Sequence, residues 1–303
     1  MSHDHDEHRE GFAYDLPRLQ ERGMVRRTLG RRGVLGVLGG GVAATALAAC
    51  GASEADDAKS ATNAGDTHSG GPGGTPPDGG SGGAAGAVSQ DGVSEGDIPE
   101  ETNGPYPADG SNGVNVLTES GIVRSDIRSS FGDATGVAEG VPMKIRLKVY
   151  NHDGDELTPY AGAAVYLWHC NREGNYSLYS EGLENENYLR GVQEVADNGS
   201  IEFTSIFPAC YSGRWPHLHF EVYPSLDDAT TAANKLRTSQ IAFPEAVCLE
   251  VYNNAEGYEA SQDNLAQVSL DSDNVFGDGH SLQMAKLTGS VDEGYVLSMA
   301  VPV

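Results

Sequence analysis

The chain has 303 residues, enough for one or two domains, and carries 44 Asp+Glu against 19 Lys+Arg for a formal net charge of -25. A surface that acidic repels phosphate backbones and anionic headgroups, which argues against nucleic acid as a partner.

Residues 1–49 read as an export signal. Arg26, Arg27, Arg31 and Arg32 precede the uncharged stretch Gly33–Ala49. That stretch is rich in Gly and Ala, too short and weakly apolar for a membrane span, and suited to a signal peptide. Arg31-Arg32 followed by Gly-Val-Leu resembles a twin-arginine export signal. Leu47-Ala48-Ala49-Cys50 resembles a bacterial lipobox, which would make Cys50 the acylated first residue of the mature chain and its membrane anchor. The histidines of the first residues, SHDHDEH, fall within the removed segment. Residues 50–96 read as a flexible linker: Gly51–Gly96 holds 13 glycines in 46 residues and no aromatic residue, too little apolar surface to offset chain entropy. Three further cysteines, Cys170, Cys210 and Cys248, lie beyond it. Outside the cytoplasm one disulfide is expected among them, with the pairing open.

Residues 97–303 form the expected folded domain. Met143–Tyr150 alternates Met143, Ile145, Leu147 and Val149 with Lys144, Arg146 and Lys148, as a half-buried strand does. Ala164–Cys170 is almost continuously apolar, as in a strand buried on both faces. Ser200–Phe207 and His217–Tyr223 follow as strands, with Val247–Tyr252 and Tyr295–Val301 as weaker ones. Asp153-Gly154, Glu173-Gly174 and Asn198-Gly199 punctuate them. Asp227–Leu236 reads as a short helix. The pattern predicts an all-β antiparallel β-sandwich with short helices and long loops. Asp271–Val303 reads as extra strands of unassigned role.

The chemistry centres on Cys210–Tyr223, CYSGRWPHLHFEVY. In a strand, His217, His219, Glu221 and Tyr223 share one face and Leu218, Phe220 and Val222 the other, apolar one. Two imidazoles side by side are half of a metal site. Tyr211 lies just upstream, and Tyr176 follows the Gly174 turn at the end of a buried strand, aimed at the sandwich interior. Neutral imidazole suits Zn, Cu or Fe. A phenol ordinarily titrates at about 10, so two phenolates at neutral pH need a strong local cation. Ferric iron fits best, because two phenolates and one hydroxide neutralise its three charges. Arg214 is placed to donate to an anionic intermediate beside the metal.

These motifs resemble the intradiol ring-cleavage dioxygenases, the family of protocatechuate 3,4-dioxygenase and catechol 1,2-dioxygenase. The resemblance spans about Glu101–Pro244. It rests on Glu101–Pro107 (ETNGPYP), Arg124–Arg128 (RSDIR), Gly140–Met143 (GVPM), Ala161–Tyr176, Tyr188–Gly191 (YLRG) and Phe207–Phe220. It implies a non-haem Fe(III) held by Tyr176, Tyr211, His217 and His219, with Tyr211 the axial phenolate that leaves when substrate binds and His217 the other axial ligand. It assigns Arg214 to a substrate carbanion, and Gln240 and Tyr106 to the substrate pocket. The implied reaction opens a catechol with O2 between its hydroxyl-bearing carbons to a muconate-type diacid. Two departures stand out. Only two residues separate Tyr211 from Arg214, where cytoplasmic members carry a longer loop, and the helical dimerisation segment of catechol 1,2-dioxygenases has no counterpart. Cys210, beside a ligand, reads as a disulfide partner pinning that loop. His169 reads as a hydrogen-bonded neighbour of the site rather than a fifth ligand. Two other readings compete: an exported β-sandwich binding module for aromatics or polymers without oxygen chemistry, and a divalent-metal hydrolase.

Overall fold

The computed structural model describes residues 96–303. The expected signal segment 1–49, the Cys50 anchor and nearly all of the linker 50–96 lie outside the described residues.

Nine strands are present among the described residues: β1 (Pro142–Asp153), β2 (Glu156–Pro159), β3 (Ala164–Trp168), β4 (Arg190–Glu194), β5 (Ser200–Ile206), β6 (His217–Tyr223), β7 (Arg237–Ala242), β8 (Lys286–Ser290) and β9 (Gly294–Pro302). They build two sheets. In the first, β1 is central: β5 and β2 share one of its edges, and β9 then β8 extend the other. The second sheet runs β4-β3-β6-β7. Every pairing is antiparallel except β1 with β9, which is parallel. The all-β sandwich is therefore as expected, with one parallel seam.

The sandwich core follows the alternation read in the sequence. Met143, Ile145, Leu147 and Val149 of β1, Phe203 of β5, and Leu297, Met299 and Val301 of β9 pack with Val165, Leu167, Leu218, Phe220, Val222 and Ile241 of the second sheet. The second sheet has another buried face. There Tyr166, Trp168, Val192 and Tyr223 pack with Tyr176, Ala209, Leu117 and Ile122. Tyr176 thus lies on the outer face of this sheet, not in the sandwich interior as expected. The sheet is covered on both sides, which is why β3, β6 and β7 are buried at every residue.

Three local readings are corrected. Val247–Tyr252 is not a strand but part of helix α1 (Glu245–Asn254). Its buried residues Cys248, Val251 and Tyr252 fall at i, i+3 and i+4, the spacing of one helical stripe. A second helix, α2 (Glu259–Leu265), follows. Asp227–Leu236 is not a helix: it is a run of turns ending in one 3-10 turn, Ala232–Asn234. Finally, Cys170, Cys210 and Cys248 are all free and buried, so the expected disulfide does not form. The Cys210 turn is held instead by hydrogen bonds. Its N–H donates to Ser261 Oγ at 3.0 Å, its carbonyl accepts from Asn264 Nδ2 at 2.9 Å, and its Sγ donates to the Arg214 carbonyl at 3.4 Å.

Two outcomes check this description. Phe220→Ala empties a fully buried ring site between the sheets and should cost about 3–5 kcal/mol in urea unfolding. Iodoacetamide should leave Cys170, Cys210 and Cys248 unmodified in the native protein and label all three in unreduced, denatured protein. A pair left unlabelled after denaturation would reveal a disulfide.

Candidate metal centre

The site is built on a cross-strand row. Trp168 of β3 stands directly opposite His219 of β6 and, on its other side, Arg190 of β4. His219 in turn stands opposite Gln240 of β7. Arg190, Trp168, His219 and Gln240 therefore share the outer face of the second sheet. The Trp168 and His219 rings stack at 4.9 Å and 5°. Against His219 also lies Gly104, at φ +71°, where an added Cβ would come within 3.3 Å of the imidazole. Indole and backbone together leave the ring little freedom.

His217 precedes His219 on the same face. Its Nδ1 lies 2.5 Å from the Trp215 carbonyl oxygen. A carbonyl only accepts, so Nδ1 carries the proton and Nε2 keeps its lone pair, the tautomer a metal-binding histidine needs. Around that Nε2 gather His219 Nε2 at 3.1 Å, the Tyr211 hydroxyl at 3.2 Å and Arg214 Nη1 at 3.5 Å. Tyr176 completes the set: its ring centroid is 5.9 Å from that of Tyr211 and 6.2 Å from that of His219. The structure thus brings together all four residues expected to hold the metal.

The donor set fits a strong cation. The Tyr176 hydroxyl is buried without a hydrogen-bond partner, a costly arrangement unless something else binds it. Burial drives His217 and His219 well below the usual imidazole range, so both are neutral donors. Burial also raises Tyr176 far above an ordinary phenol, helped by the neighbouring Tyr211. Tyr211 is pushed up to about 12 by burial, against the pull of Arg214. Two phenols this hard to ionise become good ligands only for a cation of high charge density. Among the described residues, no group of three or more His, Cys, Asp and Glu could hold a metal.

Two turns position the tyrosines. Gly174, at φ +87°, sits so close to Tyr211 that an added Cβ would lie 3.1 Å from the Tyr211 Cβ. Tyr176 follows that turn, and its N–H donates to Ser180 Oγ at 2.9 Å. Tyr106, from the Gly-Pro-Tyr segment, lies against Tyr176 at 4.9 Å and Tyr179 at 5.2 Å and forms an aromatic wall beside the phenols. Arg190 locks these loops together. It is 1% exposed, and its guanidinium donates to the Tyr106, Pro107 and Ser177 carbonyls and to the Tyr166 hydroxyl, all within 3.1 Å.

Gln240 is also in place. Its Nε2 donates to the Thr102 carbonyl at 2.9 Å, and its Oε1 accepts from Arg214 Nη2 at 2.7 Å. Arg214 is ion-paired, though not with a surface carboxylate: its partner is the buried Asp273, 2.9 Å away. His169 stands apart, bonded to the Cys170 carbonyl at 2.7 Å and Ser205 Oγ at 2.6 Å, and is no ligand. Sequence reading missed Arg190, Trp168 and Asp273 as parts of the site. Arg190 and Trp168 had a signal there, in the Tyr-Leu-Arg-Gly motif and in Ala161–Tyr176, and Asp273 had none.

The match to known proteins covers the same segment. Residues 125–243 match the Dioxygenase family. Those residues hold every one of the four donors. This segment belongs to the intradiol ring-cleavage dioxygenase family. A chlorocatechol 1,2-dioxygenase of Rhodococcus opacus is 46% identical over 54 residues, 18% of this chain and 21% of that protein. Catechol 1,2-dioxygenase 2 of Acinetobacter lwoffii is 30% identical over 118 residues, 39% of this chain and 37% of that protein. The match thus spans well under half the length of these curated relatives. In fold, an intradiol ring-cleavage dioxygenase of Tetranychus urticae superposes with a TM-score of 0.52 at 21% identity, over 68% of this chain and 93% of that one.

His169 gives a pH test. Burial lowers its pKa from 6.5 to about 4. Below pH 6.5 the unfolded chain takes up a proton that the folded chain refuses, so the stability it confers is present above pH 6.5 and is lost as pH falls towards 4. The loss amounts to about 3 kcal/mol at most. Glu101, raised to about 7 mainly by burial, and Glu221, likewise raised to about 7, act in the opposite direction over part of that range. The stability difference between wild type and His169→Gln cancels them, and it should shrink by that amount between pH 7.5 and 4 in urea titrations.

Proposed function

We propose that the chain is an exported, non-haem ferric intradiol dioxygenase that opens a catechol-type ring with O2 to a muconate-type diacid. One observation carries the proposal: two phenols and two neutral imidazoles converge in a buried site, with the Tyr176 hydroxyl unpartnered. Tyr176, Tyr211, His217 and His219 would hold the iron. Ferric iron held there would supply the redox chemistry that makes a catechol ring reactive towards dioxygen.

The chain's own groups do the rest. Tyr211 is the less buried of the two phenols, and its Oη is placed to give way to an incoming catechol and take one of its protons. Tyr176, enclosed against Tyr106, stays. The Arg214 Nη1 faces the same space and donates to negative charge that builds on the substrate. The Tyr106 and Tyr179 rings offer a flat apolar wall to an aromatic ring. Catechol, protocatechuate and hydroxyquinol all present the vicinal hydroxyls this arrangement recognises. The family relationship and the names of the relatives support the reaction class. Export and a lipid anchor at Cys50 rest on the arginine-rich, uncharged and cysteine-terminated pattern of residues 26–50.

Purified iron-loaded protein should be red-brown from tyrosinate-to-iron charge transfer and consume one O2 per catechol. Tyr211→Phe should shift that band and cut oxygen uptake at least about tenfold, and His219→Ala should abolish iron retention. A colourless iron-loaded protein, or variants with unchanged iron content and oxygen uptake, would overturn the proposal in favour of a binding module.

A further inference from the structure

Asp273 lies in the C-terminal segment that follows the family match, and its side chain is fully buried. It accepts five hydrogen bonds. Oδ1 takes the N–H groups of Val275 at 2.8 Å and Phe276 at 3.1 Å, and Arg214 Nη2 at 3.4 Å. Oδ2 takes Arg214 Nε at 2.9 Å and the Trp215 N–H at 2.7 Å. One oxygen therefore folds its own turn, while the other reaches across to the strand that carries the histidines.

The consequence for Arg214 is geometric. Its Nε is committed to Asp273 and its Nη2 to Gln240 and Asp273. Nη1 alone is left facing the site, 3.5 Å from His217 Nε2. A guanidinium held at two of its three nitrogens has lost its rotational freedom, so its third donor points one way before any ligand arrives. The same carboxylate binds the Trp215 N–H, while the Trp215 carbonyl, in the following peptide unit, sets the His217 tautomer. Phe276, on the Asp273 turn, packs edge-on against the His217 ring at 6.4 Å.

We infer that Asp273 is the positioning residue of this centre: it orients Arg214 so that only Nη1 is presented to substrate. This rests on the assignment of Arg214 to the substrate. It also gives a role to a segment outside the family match, close to where the short Tyr211–Arg214 connection leaves the turn without a longer loop of its own.

Asp273→Asn isolates the effect. The amide oxygen retains the Val275 and Phe276 bonds, so the turn is kept. The amide NH2 then confronts two donors, Arg214 Nε and the Trp215 N–H, where Oδ2 had accepted both. In 15N-labelled full-length protein, the wild-type Arg214 Nε–H should give a resolved, slowly exchanging resonance, and Asp273→Asn should lose it. In iron-loaded protein, Asp273→Asn should lower kcat/KM for catechol about 10- to 100-fold. The double variant with Arg214→Lys should be no worse than Arg214→Lys alone, within about twofold, because both act through one group. A wild-type Nε–H that exchanges as fast as free arginine would overturn the inference without any variant. Retention of the resonance in Asp273→Asn, or losses that multiply in the double variant, would do the same. If wild type cleaves no catechol, the proposed reaction fails, while the Nε–H measurement still decides the role of Asp273.

Discussion

A single carbonyl oxygen, that of Trp215, decides which way the chemistry of this protein faces. By accepting the His217 Nδ1 proton it leaves Nε2 bare, and every other contact of the centre is arranged around that lone pair. Were the proton on Nε2 instead, the imidazole would confront the Arg214 guanidinium with a second donor and could not bind a cation. The residue that carries this oxygen is held at two points: its N–H, in the preceding peptide unit, is bound to Asp273, and its indole N–H donates to the Phe243 carbonyl at 2.9 Å. The arrangement of the four donors depends on how firmly this one residue is held.

Burial gives the centre a second property. Without a bound cation it is an uncharged pocket: both phenols are protonated and both imidazoles neutral, with the Arg214–Asp273 pair alongside. That differs sharply from the protein surface, with its large excess of carboxylates. An acidic exterior attracts cations generally, and under the proposed function only an ion able to strip protons from two buried phenols would gain all four donors.

Much of this was legible in the sequence, and the failures have physical causes. The β6 face and the four donors followed from period-two alternation and the Gly174 turn. β7 escaped notice because Arg-Thr-Ser-Gln reads as loop. It is a fully buried strand, and the segment before the sandwich satisfies several of its polar groups: Arg237 Nη2 donates to Asp97 at 3.1 Å, the Thr238 N–H to Glu100 at 2.9 Å, and Gln240 to Thr102. The misread helix α1 shows the converse. Val-Cys-Leu-Glu-Val-Tyr fits a period of two as well as 3.6, and six residues are too few to separate them. Asp273 carried no signal of a role in the site, since the partners that link it to the site, Arg214 and Trp215, lie 59 and 58 residues away in the chain. The expected disulfide failed for another reason: cysteine count and compartment say that pairing is permitted, but not whether the side chains meet.

The parallel seam between β1 and β9 has a consequence for when the site comes into being. The central strand of the first sheet is made long before the partner that closes one of its edges, and the residues that orient Arg214 and abut His217 lie between them, near that later strand. A chain interrupted between His219 and Asp273 would contain all four donors and still lack the carboxylate that orients Arg214. Contacts so distant along the chain form late and slowly. Under the proposed function, capture of a cation would follow the closing of that long-range contact, and a filled centre would report a closed domain.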